Sequence, residues 1–163
     1  MTARNHRSRP AGLFRGPRRT LAAGLAACAL VLGAAGAVLG GHFVMTADEA
    51  SVRVESGELV LIDVRSPQEW RQTGVPRGAR RVTIHDPDGL KGFVDAMAVA
   101  VGGDLKKPIA LICARGNRST IAQKALSEAG FTRVFNIREG FIGGPYGPGW
   151  VTRGLPVEPC PNC

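Results

Sequence analysis

Residues 46–157 predict an α/β domain whose mostly parallel central sheet is covered by helices on both faces. Three observations lead there. Short apolar runs alternate with segments of helical spacing along this stretch. The runs are continuously apolar, as in strands buried on both sides. No self-similar spacing of 20–50 residues marks a repeat array.

The elements follow in order. Thr46-x-x-Glu49 has the form of a capping box and opens a short helix to about Ser56. Leu59-Val60-Leu61-Ile62 reads as the first buried strand. Ser66-Pro67-Gln68-Glu69 starts a second helix, with Ser as N-cap, Pro at N1 and Glu at N3, and Gly74 ends it. After the Gly/Pro turn of residues 74–78 a strand is expected at Arg81–Ile84. Leu90, Phe93, Val94, Met97 and Val101 then recur at helical spacing. Pro108–Ile112 is the next buried strand. Residues 119–129 form a helix with Ile121, Ala125, Leu126 and Ala129 inward and Gly130 as its stop. Val134–Ile137 is the last strand, and Gly140–Gly149 is a Gly/Pro-rich loop.

The formal charge of +8 is distributed unevenly. Residues 1–45 hold six arginines and no Asp or Glu, which leaves 15 Lys/Arg against 13 Asp/Glu in the rest. The domain itself is therefore nearly neutral, and a nucleic-acid partner is not expected. Residues 1–20 form a basic leader, and Leu21–Gly41 is a 21-residue run without charge. As a helix rising ~1.5 Å per residue it reaches across a bilayer core of ~30 Å. With the arginines before it and no Lys or Arg in the next eleven residues, the positive-inside rule places the leader in the cytoplasm and the domain on the far side. Residues 21–41 read as a transmembrane anchor. The alternative is a cleaved export signal, for which Ala35-Gly36-Ala37 has signal-peptidase form and Pro17-Arg18-Arg19-Thr20-Leu21 resembles a twin-arginine motif. Leu25-Ala26-Ala27-Cys28 resembles a lipobox, but the residues after Cys28 stay apolar.

The chemistry concentrates at Cys113. It ends a buried strand and precedes a helix, the position where open parallel sheets bind ligands. The loop Cys113-Ala114-Arg115-Gly116-Asn117-Arg118 is expected to curl with its amides inward, an anion nest at a helix N-terminus. Gly116 permits the curl, Arg115 and Arg118 add positive charge, and Ser119 caps the helix or donates to the sulfur. Such a setting suits a reactive thiolate rather than a buried filler.

The series LVLIDVRSPQEW, TGVPRGA, LICARGNRS, TRVFNIREG and GLPV resembles the rhodanese-like domain, from about Glu49 to Val157. The resemblance implies a three-layer fold with a central parallel sheet. It further implies sulfur transfer through a persulfide on Cys113, cradled by the loop from Ala114 to Arg118. Four residues separate Cys113 from Arg118; related phosphatases and arsenate reductases carry one more, so the resemblance favours sulfur over phosphoryl chemistry. The sequence departs from the family at Gly74–Ala79, which replaces the commoner Gly-His-Ile-Pro-Gly-Ala, and in the long Gly140–Gly149 segment. The implied partners are a small sulfur donor such as thiosulfate and a thiol or cyanide-like acceptor, with no cofactor or metal.

Asp63 and Arg65 end the first strand, at the same rim as Cys113, where they either orient the site loops or form a structural ion pair with Glu69; the ion pair is favoured. His85 reads as a turn residue, and Trp70 and Trp150 as packing. Cys160-Pro161-Asn162-Cys163, in the tail 158–163, is a Cys-x-x-Cys without a strand or helix of thioredoxin type around it. It is expected to be a closed disulfide or, as free thiols on a flexible tail, an acceptor for the Cys113 persulfide. Besides the sulfurtransferase, two other readings remain: a binding module without turnover at the membrane, and an oxidoreductase joining Cys113 to Cys160 and Cys163.

Overall fold

The computed structural model describes residues 43–163. The basic leader and the apolar helix expected at 21–41 lie outside the described residues. Among the described residues no helix is long and apolar enough to cross a membrane.

The chain runs β1 (Phe43–Val44), α1 (Ala47–Glu55), β2 (Val60–Asp63), α2 (Pro67–Thr73), β3 (Val75–Pro76), β4 (Arg80–Arg81), α3 (Gly89–Ala100), β5 (Ile109–Ile112), α4 (Asn117–Glu128), β6 (Val134–Asn136) and β7 (Val157–Glu158). Five strands form one sheet in the order β1-β6-β5-β2-β4, and every pairing in it is parallel. The central strand β5 is buried along its length, because crossover helices cover both of its faces.

The period-2 alternation of the strands divides the core in two. Ile62, Val64, Ile109, Leu111 and Cys113 face Phe93 and Met97 of α3 and Ala122 and Leu126 of α4. Leu61, Ala110, Ile112 and Ile137 face Ala47 and Ala50 of α1, together with Phe141 and Trp150. Each large apolar side chain so buried contributes about 1.5–3 kcal/mol.

Both predicted capping boxes are present, with Thr46 and Ser66 each accepting from the N3 amide and Glu49 and Glu69 each reaching back to the N-cap amide. The structure differs from the sequence reading in three places. The strand expected at 81–84 is regular only over Arg80–Arg81, although the Val82 and Ile84 amides still donate to the Asp63 and Val64 carbonyls at 3.1 Å each. Helix α4 begins at Asn117 and buries Ser119, Ala122, Gln123 and Leu126, leaving Ile121 52% exposed. Polar groups set that face: the Gln123 amide donates to the carbonyls of Phe43 and Val134 at 2.8 Å each. Finally, the turn after α2 forms a small antiparallel ladder, β3 with β7, which fixes the segment leading to Cys160.

Candidate active site

Cys113 follows β5 directly and is 1% exposed. Its sulfur accepts from the Gly116 amide at 3.2 Å and lies 3.4 Å from the Ser119 hydroxyl. The Ser119 hydroxyl is also 3.0 Å from the Gly116 carbonyl, so one proton is shared between a carbonyl and a sulfur. Gly116 adopts φ +90° as the N-cap of α4. The amides of Ala114, Arg115, Asn117 and Arg118 donate to no protein acceptor among the described residues. The predicted nest is thus a curl of unpaired donors around a buried thiol at a helix N-terminus, the arrangement that favours an anion.

The curl is held from behind by the chain after β6. The Phe141 amide donates to the Cys113 carbonyl at 2.8 Å and the Ile142 amide to the Ala114 carbonyl at 3.0 Å. The approach is close enough that a Cβ on Gly116 would stand 2.2 Å from the Arg138 carbonyl oxygen, and one on Gly140 would stand 2.5 Å from that of Ala114. The Gly140–Gly149 segment forms the rim beside the nest, where Arg115 donates to the Gly143 carbonyl at 3.2 Å. Arg138 stacks on Tyr146 of that segment, 3.7 Å from the ring centre.

Arg118 does not stand free. Its two terminal nitrogens each meet a Glu69 carboxylate oxygen at 2.6 Å, and this bidentate fork couples the N-terminus of α4 to that of α2. Glu69 also accepts from the Ser66 amide and hydroxyl. The Arg118 guanidinium, followed by the Ser66 groups, lowers the Glu69 carboxyl from 4.5 to about 2 despite partial burial. In return Glu69 reinforces the charge on Arg118.

The ion pair expected between Asp63–Arg65 and Glu69 is instead internal to Asp63 and Arg65. Arg65 contacts the Asp63 carboxylate through Nε and Nη2, the latter at 2.6 Å, with side chains 2% and 0% exposed. The remaining Arg65 donors reach the Thr73 hydroxyl and the Gly74 carbonyl, and its guanidinium lies 3.8 Å from the Phe141 ring centre. Each of the three guanidinium nitrogens thereby has an acceptor, as a buried charge requires. Arg65 supports the site indirectly, through the residue whose amide holds Cys113. Glu139 has a related role that the sequence did not suggest: it accepts from the Ala47 amide at 2.8 Å and from Arg153. His85 is exposed in the segment between β4 and α3, its amide donating to the Thr83 hydroxyl. Trp70 and Trp150 are buried.

Cys160 and Cys163 form a disulfide, which the Arg81 guanidinium contacts at both sulfurs. Arg81 is paired in register with Asp63, and Asp63 with Ile112, so Arg81 belongs to the sheet face of Ile112. Cys113, one residue further along, points to the other face. Strand alternation therefore sends Arg81, the residue that contacts the disulfide, and Cys113 to opposite faces of the sheet.

Comparison with known proteins agrees with this geometry. An uncharacterized protein of Rickettsia prowazekii is 31% identical over 100 residues, which is 60% of this chain and 81% of that protein. Thiosulfate sulfurtransferase GlpE of Glaesserella parasuis is 28% identical over 114 residues, 70% of this chain and 91% of the relative. The crystal structure of Rv0390 from M. tuberculosis is similar with a TM-score of 0.56 and 29% identity, over 74% of this chain and 98% of that one. The Rhodanese-like domain profile matches residues 46–143, and with the parallel sheet and the cysteine nest already in place, the chain belongs to the rhodanese-like domain family.

Proposed function

We propose that this chain is a sulfurtransferase that carries sulfane sulfur as a persulfide on Cys113. The observation that carries the reading is the buried thiol inside a curl whose amides at Ala114, Arg115, Asn117 and Arg118 have no protein acceptor. An outer persulfide sulfur bears the negative charge those donors suit. The similarity to a protein named thiosulfate sulfurtransferase supports the same chemistry.

In the first half-reaction the Cys113 thiolate attacks the outer sulfur of thiosulfate. The donor's S–S bond breaks, its electron pair leaves with sulfite, and Cys113 holds a persulfide anion. In the second, a thiolate or cyanide attacks the outer sulfur and Cys113 departs as thiolate. The Gly116 amide and the Ser119 hydroxyl stabilise the inner sulfur, and the unpaired amides hold the outer one. Arg115 at the rim attracts the anionic donor. Arg118, committed to Glu69, fixes the start of α4, while Asp63 and Arg65 position the segment behind the loop. No step requires a cofactor.

The oxidoreductase reading loses ground because the tail is held by the β3–β7 ladder and the disulfide rests on Arg81, which leaves the sheet on the face opposite to Cys113. A module that only docks a partner would leave the unpaired amides without use, whereas one that holds sulfur without passing it on would use them, and turnover distinguishes that reading from a sulfurtransferase. For placement, we read the arginine-rich leader and the apolar run at 21–41 as an anchor or export signal that puts the domain on the non-cytoplasmic side.

Cys113→Ser tests the mechanism. A hydroxyl neither attacks nor carries sulfane sulfur at neutral pH, so thiosulfate:cyanide sulfur transfer is expected to fall by at least about a thousandfold with an unchanged melting curve. Undiminished transfer by the serine variant would refute the mechanism.

A further inference from the structure

The disulfide Cys160–Cys163 lies outside the family match at 46–143, and three features distinguish it from a stabilising cross-link. It closes a loop with a sequence separation of only 3, and short loops gain least from cross-linking. The segment is already held without it: β7 pairs with β3, and the Trp150 indole donates to the Pro156 carbonyl at 2.8 Å. Two cations also attend the pair. Arg81 contacts both sulfurs, and Arg71 donates to the Cys163 carbonyl. A guanidinium beside a sulfur favours the thiolate, and thiol exchange is faster when the departing sulfur is a stable thiolate. Third, a groove of about 320 Å³ opens beside the pair, lined by Arg71, Thr73, Gly74, Val157 and Cys160 among others; Cys163 is not part of its lining.

We propose that Cys160–Cys163 is a second, redox-active site that exchanges with small thiols, independently of Cys113. A thiolate entering the groove attacks Cys160, forming a mixed disulfide and releasing Cys163 as a thiolate beside Arg81. A second thiolate attacks the outer sulfur of the mixed disulfide, frees Cys160 as a thiolate and leaves as the oxidised small-molecule disulfide. Two thiols are oxidised and the pair is reduced by two electrons; the protons lost by the thiols end on Cys160 and Cys163. The opposite sheet faces of Cys113 and Arg81 and the strand-paired tail make this a separate site rather than the flexible-tail acceptor that the sequence left open beside a closed disulfide.

The test uses the full chain in detergent with Cys28→Ser and Cys113→Ser, so that the pair holds its only sulfurs of cysteine. Equilibration in glutathione buffers, alkylation and intact-mass measurement should show a reversible gain of two trapped thiols within the range those buffers span. Adding Arg81→Gln should slow reduction by glutathione roughly three- to tenfold at pH 7. With Cys163→Ser instead, oxidised glutathione should be captured on Cys160. A pair that stays oxidised across all glutathione ratios, or one reduced at an equal rate without Arg81, would overturn the proposal. In the otherwise native chain, Cys160→Ser with Cys163→Ser should leave thiosulfate sulfur transfer unchanged; a loss there would overturn the independence of the two sites, whereas failure of sulfur transfer in the native chain bears on Cys113 alone.

Discussion

Gly116 is the residue on which the shape of the nest depends. Its φ of +90° is a left-handed conformation that side chains resist, and a Cβ there would meet the Arg138 carbonyl oxygen at 2.2 Å. Two penalties thus fall on one substitution: backbone strain of about 1–3 kcal/mol and displacement of the segment whose amides hold Cys113 and Ala114. Gly116→Ala should lower the melting temperature by several degrees and reduce sulfur transfer far more than its stability loss explains. A thermal melt paired with a transfer assay at a temperature where the variant is fully folded checks both; full activity would show that the curl does not need this geometry. Arg65 acts at the same scale through packing. Its buried pair with Asp63 and its stacking on Phe141 keep the backing segment in place, so its role is positional.

At the scale of elements, the Glu69–Arg118 fork joins the N-termini of α2 and α4, and its strength depends on pH. The folded Glu69 carboxyl titrates at about 2, against an ordinary value of 4.5. A depressed carboxylate contributes stability that is full above its unfolded pKa and lost as pH falls through the folded one. The contribution is therefore intact above pH 4.5 and fades toward about pH 2. Urea midpoints of the native chain and of Glu69→Gln should differ most above pH 5 and converge as pH drops toward 2. A difference independent of pH would mean that the carboxylate charge contributes nothing. Elements also show what the sequence made legible. The Cys113 loop, both capping boxes and the central strands rest on short-range order and continuous apolar runs, so they could be read directly. The two-residue strands β1, β3 and β7 are too short for any periodicity. Spacing alone puts Ile121 on the inward face of α4, whereas Ser119 and Gln123 turn inward to make hydrogen bonds, a demand set by distant partners. Glu69 was legible as a cap but not as the partner of Arg118, since a carboxylate at N3 retains an oxygen whose partner lies 49 residues away.

At the scale of the whole domain, Cys113 and Arg81 leave the parallel sheet on opposite faces. Cys113 joins the core formed with α3 and α4, while the face of Ile112 carries Arg81 toward the Cys160–Cys163 pair. The proposed placement of the domain rests on six arginines ahead of an uncharged run of 21 residues. A reporter fused after Cys163 is expected to be active only when it works outside the cytoplasm, and activity confined to a cytoplasmic reporter would reverse the orientation. The central claim, that Cys113 carries sulfane sulfur, is tested most directly by intact-mass and peptide-mass measurement of the full chain after exposure to thiosulfate. The account predicts the gain of one sulfur atom, located on the peptide containing Cys113, removed by cyanide and absent from Cys113→Ser; an unchanged mass, or a sulfur found on another cysteine, would contradict it.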